Sequence, residues 1–132
     1  MDTWTRNSLL AAAIALVPSQ AARAQKADSV PAEVTAASVT EGKKLFGGAG
    51  LCLACHGLDA KGGIGPDLTD DQWLHGGGNY PDILARVRNG VDAGESKSGQ
   101  IMPPMGGASL SDAQAKAVAA FVWTLSHKRA KP

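Results

Sequence analysis

The spacing of apolar and polar positions predicts three helices and no strand. Ser38-Val39-Thr40-Glu41 has the form of a capping box, and Val39, Gly42, Leu45 and Phe46 then recur at helical spacing until Gly47-Gly48 stops the pattern. A second helix is predicted over residues 81–89: proline suits the first helical position, Ile83, Leu84 and Val87 share a face, and Gly90 is a fitting stop. The third opens on another capping box, Ser111-Asp112-Ala113-Gln114, and carries Val118, Phe121, Val122 and Leu125 at i, i+3, i+4 and i+7. Residues 70–74 form a brief further helical candidate, while 57–65 and 91–104 read as loops. No segment alternates well enough for a strand and no repeat is visible, so the expected class is all-α: a few short helices joined by long loops.

The first 24 residues read as an export signal. Arg6 supplies the positive start, residues 9–17 a short apolar stretch, and Ala22-Arg23-Ala24 a small-x-small cleavage site. That stretch falls short of the roughly 20 apolar residues a membrane span needs, and no cysteine lies there for lipid attachment. The expectation is therefore a periplasmic protein with no integral membrane span after cleavage. Residues 25–37 are expected to be a flexible lead-in, 38–127 the folded domain and 128–132 a short basic tail, whose cations meet the dipole at a helix C-terminus. Losing Asp2, Arg6 and Arg23 lowers Lys and Arg from 13 to 11 and Asp and Glu from 12 to 11, leaving no net charge. A neutral chain offers no basic stripe for nucleic acid.

Both cysteines fall in Cys52-Leu53-Ala54-Cys55-His56. The C-x-x-C-H spacing attaches a c-type haem: each sulfur adds to a vinyl group, and the next side chain, His56, is left over the porphyrin face to bind iron. A thioredoxin-like pair is expected near a βαβ pattern, and a structural zinc site needs a second ligand pair. His75 and His127 follow His56 by 19 and 71 residues with no partners of their own. The reading is one haem c, held through Cys52 and Cys55. After cleavage, 108 of the 132 residues remain, with five aromatics (Phe46, Trp73, Tyr80, Phe121 and Trp123), so the cofactor supplies an apolar body that so small a core lacks.

A second axial ligand separates a carrier from a catalyst. The loop Ile101-Met102-Pro103-Pro104-Met105-Gly106-Gly107 offers two soft thioethers, stiffened by prolines. Either Met102 or Met105 suits the role, the other serving as a gap-filling hydrophobe. His75 and His127 are weaker candidates.

With these residues in place the chain resembles the class I cytochromes c, over residues 38 to about 126. Gly42 and Phe46 match the family's first helix, and Val118 and Phe121 the last helix that it crosses, glycine letting the two backbones approach. Gly65-Pro66-Asp67-Leu68 matches a Gly-Pro-x-Leu segment. The resemblance implies that the Pro66 carbonyl accepts the Nδ1 proton of His56 and that Leu68 packs on the haem face. Met102 through Gly106 matches Met-Pro-x-x-Gly, which implies Met102 as the ligand with Met105 the alternative. Residues 67–77 are also similar to a segment in c-type subunit domains of terminal oxidases and some dehydrogenases. There Trp73 is expected either to donate its indole N–H to a haem propionate or to pack in the core, and His75 to be a loop or propionate-side histidine and not a ligand.

The function expected is one-electron transfer between transient redox partner proteins, without catalysis, since two protein ligands saturate the iron. Lys43, Lys44 and Lys61 flank the motif as docking cations or simply as solvated charges. A subunit of a terminal oxidase or dehydrogenase complex keeps this chemistry and changes the address. An open-site haem enzyme or gas-binding protein is the remaining alternative. Distal acid–base groups would mark a peroxidase-like chain, and a C-x-x-C-H near the C-terminus would mark a cytochrome c′ bundle.

Overall fold

The computed structural model describes residues 29–128, and the predicted export signal lies outside them. Helix α1 spans Ala36–Phe46, α2 is the single turn Leu53–His56, α3 spans Tyr80–Asn89 and α4 spans Asp112–Ser126, with a 3₁₀ turn at Pro104–Gly107 before α4. Among the described residues the sole β pairing is an isolated antiparallel bridge between Val91 and Met102. The architecture is all-α with long loops, as the periodicity implies.

Helix α1 begins earlier than its pattern indicates. Its cap is Thr35, whose hydroxyl accepts the Ser38 N–H at 3.1 Å while Ser38 Oγ accepts the Thr35 N–H at 2.9 Å. Ser38 is thus the far member of the box and not its opening residue: Ala36 and Ala37 are strong helix formers, so the helix runs back to the next side chain able to take an orphan N–H. Val34, just upstream, is buried in the core, so ordered structure precedes Ser38. Helix α4 starts on the expected box, with Gln114 N–H on Ser111 Oγ at 3.2 Å and Ser111 N–H on Gln114 Oε1 at 2.9 Å. Helix α3 is capped by Asn79, which accepts the Asp82 N–H at 2.9 Å.

Residues 70–74 are not helical. Asp67 Oδ1 takes the Thr69 N–H at 2.6 Å and Asp70 Oδ1 the Gln72 N–H at 2.9 Å, so short side-chain turns satisfy the donors that a helix would use.

The core forms where α1 crosses α4. A Cβ on Gly42 would stand 1.9 Å from the Ala117 carbonyl oxygen, so only glycine permits this crossing. Beside it Phe46 meets Phe121 edge-on, with ring centroids 5.4 Å apart. Val118 and Val122 of the predicted stripe are buried, and Phe121 and Leu125 pack against the core at its margin. Helix α3 lays Ile83, Leu84 and Val87 into the same core, and the Tyr80 hydroxyl donates to the Lys116 carbonyl on α4 at 3.2 Å. At the surface the Asp112 carboxylate pairs with Arg88 on α3 and with Lys116 one turn along α4.

Candidate functional site: an apolar cleft beside the Cys-x-x-Cys-His turn

The segment after α1 supplies one wall of a cleft that opens to solvent. Cys52 precedes α2, and Cys55 and His56 lie within it, so one helical turn brings all three to the cleft lining. Burial pushes the Cys52 thiol above its usual range, and that thiol donates to the Gly50 carbonyl at 3.3 Å.

His56 is the one buried polar or charged residue among those described. Its Nδ1 lies 2.9 Å from the Pro66 carbonyl oxygen; a carbonyl only accepts, so Nδ1 carries a proton, and in the neutral ring Nε2 is the atom that keeps its lone pair. The backbone returns over the imidazole at Gly65, where a Cβ would come within 2.9 Å of Cε1. Gly62 N–H to the His56 carbonyl at 2.8 Å and Gly65 N–H to the Cys55 carbonyl at 2.9 Å close this loop.

Seven of the residues named above from motif and resemblance face the same space. Pro66, Leu68, Trp73 and Met102 line the cleft with Cys52, Cys55 and His56. Met105 does not line it: it sits in the 3₁₀ turn with φ of 55° and packs against the hydrophobic core. His75 lies on the lining, whereas His127 stacks on Trp123 at 4.2 Å, away from it. Lys43, Lys44 and Lys61 are exposed and outside the lining.

Sequence reasoning passed over Arg86 and Gln100, which also line the cleft. Arg86 Nη1 lies 3.7 Å from Glu95 Oε2. Its signal was available, since Arg86 follows Ile83 by three positions and so borders the apolar face of α3. Gln100 carried no such signal, because its loop has no period. Leu51, Ile64 and Ile101 are exposed on the lining and make the mouth apolar.

Short helices closed by an α1–α4 crossing, around a cleft walled by this attachment turn, define a class I c-type cytochrome. Residues 37–122 match the family model described as cytochrome c oxidase, cbb3-type, subunit III, and the chain belongs to that family. Among curated relatives, the cbb3-type cytochrome c oxidase subunit FixP of Rhizobium etli is 43% identical over 79 residues, 58% of this chain and 27% of the relative. The subunit CcoP of Rubrivivax gelatinosus is 39% identical over 102 residues, 74% of this chain and 30% of the relative. The chain therefore spans less than a third of the length of either relative. Cytochrome CL of the marine methylotroph Methylophaga aminisulfidivorans aligns with a TM-score of 0.53 at 21% identity, covering 76% of this chain and 61% of that one, a likeness of fold.

Family membership implies covalently bound haem c, and the site fits it. Two thiols and an imidazole with a free Nε2 share one turn, the surrounding lining is largely apolar, and a soft thioether lies on the same lining.

Proposed function

We propose that this chain is a mono-haem electron carrier with His56 and Met102 as axial ligands. The observation that carries the reading is the convergence of Cys52, Cys55, His56 and Met102 on one apolar cleft, with His56 Nδ1 already committed to Pro66.

Haem c, when bound, supplies a one-electron ferric/ferrous couple. Cys52 and Cys55 hold it as thioethers, and His56 offers Nε2 to the metal. The Pro66 carbonyl fixes the ring and raises its basicity by accepting the Nδ1 proton. Met102 supplies a soft sulfur that favours the ferrous state and raises the potential. Leu68, Val87, Val118 and Val122 exclude water from the lining. Trp73 packs its indole nitrogen on Gly78, where a Cβ would lie 2.0 Å from Nε1; Trp73 and Arg86, both on the lining, would be the donors available to the propionates. With both axial positions filled the chain transfers electrons and catalyses nothing itself.

The family supports an address within or beside a cbb3-type oxidase, where this domain passes electrons to or from other redox proteins. We place the carrier in the periplasm, exported by residues 1–24 and folded from Val34, just ahead of the Thr35 cap, to residue 127. Among the described residues no helix is long and apolar enough to cross a membrane.

The test is an absorption spectrum of purified holoprotein in both redox states with haem counted per chain. One haem and an iron–methionine charge-transfer band are expected, the band vanishing in Met102→Ala and surviving in Met105→Ala. Survival of the band in Met102→Ala removes the ligand assignment. Rapid binding of carbon monoxide by the unmodified protein returns the open-site alternative. Co-purification with oxidase subunits distinguishes a complex member from a free carrier.

A further inference from the structure

We infer that Gly90 and Val91, at the end of α3, are the positioning residues that seat Met102, an inference that rests on Met102 being the ligand. Met102 belongs to no helix. Its backbone is fixed by a reciprocal pair of hydrogen bonds: Met102 N–H donates to the Val91 carbonyl and Val91 N–H to the Met102 carbonyl, each at 2.8 Å. The pair closes the neck of the 92–101 loop and ties the methionine to the residues that follow α3.

Gly90 makes that neck possible in two ways. Its φ of 69° and ψ of −160° lie in a region open essentially to glycine. A Cβ there would also stand 2.1 Å from the Met102 carbonyl oxygen, 2.8 Å from Pro104 N and 2.9 Å from Pro103 C. These are backbone atoms and cannot swing aside. Any side chain at position 90 therefore moves Met102 and the two prolines behind it together. Upstream, α3 is anchored by Ile83, Leu84 and Val87 in the core. The position of the sulfur is thus set by α3, through Gly90, more than by the methionine loop.

Gly99 provides the control. It has a comparable φ of 78°, within the same loop, yet nothing lies within 4 Å of a Cβ built on it. Gly90→Ala and Gly99→Ala each place a side chain at positive φ, and only the first meets the backbone of Met102.

The experiment uses holoprotein of Gly90→Ala, Gly99→Ala, Val91→Pro and Met102→Ala, with helix content by circular dichroism alongside. Val91→Pro removes the Val91 N–H without adding a Cβ at position 90. The expected result is that Gly90→Ala and Val91→Pro keep covalent haem and helix content but lose the iron–methionine band. Their reduction potentials should fall toward that of Met102→Ala, and their ferric forms should bind added imidazole more tightly. Gly99→Ala should keep the band. If Gly90→Ala and Val91→Pro both keep the band while Met102→Ala loses it, the seat is refuted and the ligand assignment stands. If Met102→Ala keeps the band, the ligand assignment fails and the seat with it. Loss of helix content in both seat variants also overturns the inference, because it makes the role one of folding.

Discussion

The wall of the cleft that carries His56 comes from one uninterrupted stretch, residues 52–66, whereas the wall that carries Met102 leans on a helix that ends a dozen residues earlier. On the first side the hydrogen bonds are local: Gly57 N–H to the Leu53 carbonyl, Gly62 to His56, Gly65 to Cys55, and His56 Nδ1 to Pro66. On the second side, two bonds to Val91 hold the methionine, and the intervening loop is organised around itself. Asp92 Oδ1 takes the Gly94 N–H at 3.0 Å, and Ser96 Oγ donates to the Gln100 carbonyl at 2.6 Å. The difference teaches that the proposed attachment and first ligation rest on a self-sufficient motif, while the proposed second ligand depends on the assembled fold. Conditions that loosen tertiary packing are therefore expected to release the methionine before they disturb the histidine.

The largest effect that would sharpen this contrast is on the first side. Cys52→Ala with Cys55→Ala should abolish covalent attachment completely, read as loss of haem staining on a denaturing gel, whatever the state of the Met102 loop.

Next is the crossing on which both walls hang. Gly42→Ala drives a Cβ into the Ala117 carbonyl, an overpacking that should cost about 3 kcal/mol and lower Tm by roughly 12 °C or more. Unchanged melting would mean that the helices slide apart freely, and the two walls would then be independent. A smaller loss tests the far side alone. Ser111 caps α4 where the chain leaves the 3₁₀ turn beyond Met102, and Ser111→Ala should cost about 1 kcal/mol with thermal melting as the readout and haem attachment intact.

The smallest effect is electrostatic. The Thr69 backbone N–H, and after it the Thr69 hydroxyl, hold the Asp67 carboxyl below its usual range, and hydrogen bonds from Lys116 and Arg88 do the same for Asp112. A carboxyl whose folded-state pKa is depressed binds protons less readily than in the unfolded chain. Its stabilisation is therefore present above the ordinary carboxylate value near about 3.9 and is lost as pH falls through the folded value. Denaturant midpoints should drop on acidification below about pH 4, and the Asp67→Asn variant should show a shallower drop. An equally steep drop in that variant would remove Asp67 from the first wall's supports.

What the sequence disclosed follows the same division. The attachment turn and the Ser111 box depend on short spacings, and each is legible in a string of residues; the Pro66 partner and the Gly42 crossing were legible only through the family resemblance. The start of α1 was misplaced because Ser38 satisfies a capping pattern at either end of a box, and only the competition with Thr35 decides which. The 70–74 segment failed as a helix because Asp67 and Asp70 offer their carboxylates to nearby N–H groups, a choice that periodicity does not register. Gly90 reads as an ordinary helix stop; its contact with Met102 spans a loop whose path no local pattern records.

The Gly42 crossing carries one more consequence. Gly42 and Ala117 are 75 positions apart, so their contact brings the first and last helices of the domain together. Closing a loop of that length carries a length-dependent entropic cost of order 4 kcal/mol, met by the packing around Val118 and Phe46. Once closed, the domain enters and leaves through neighbouring helices, the arrangement that lets a domain be spliced into a longer polypeptide or moved between them.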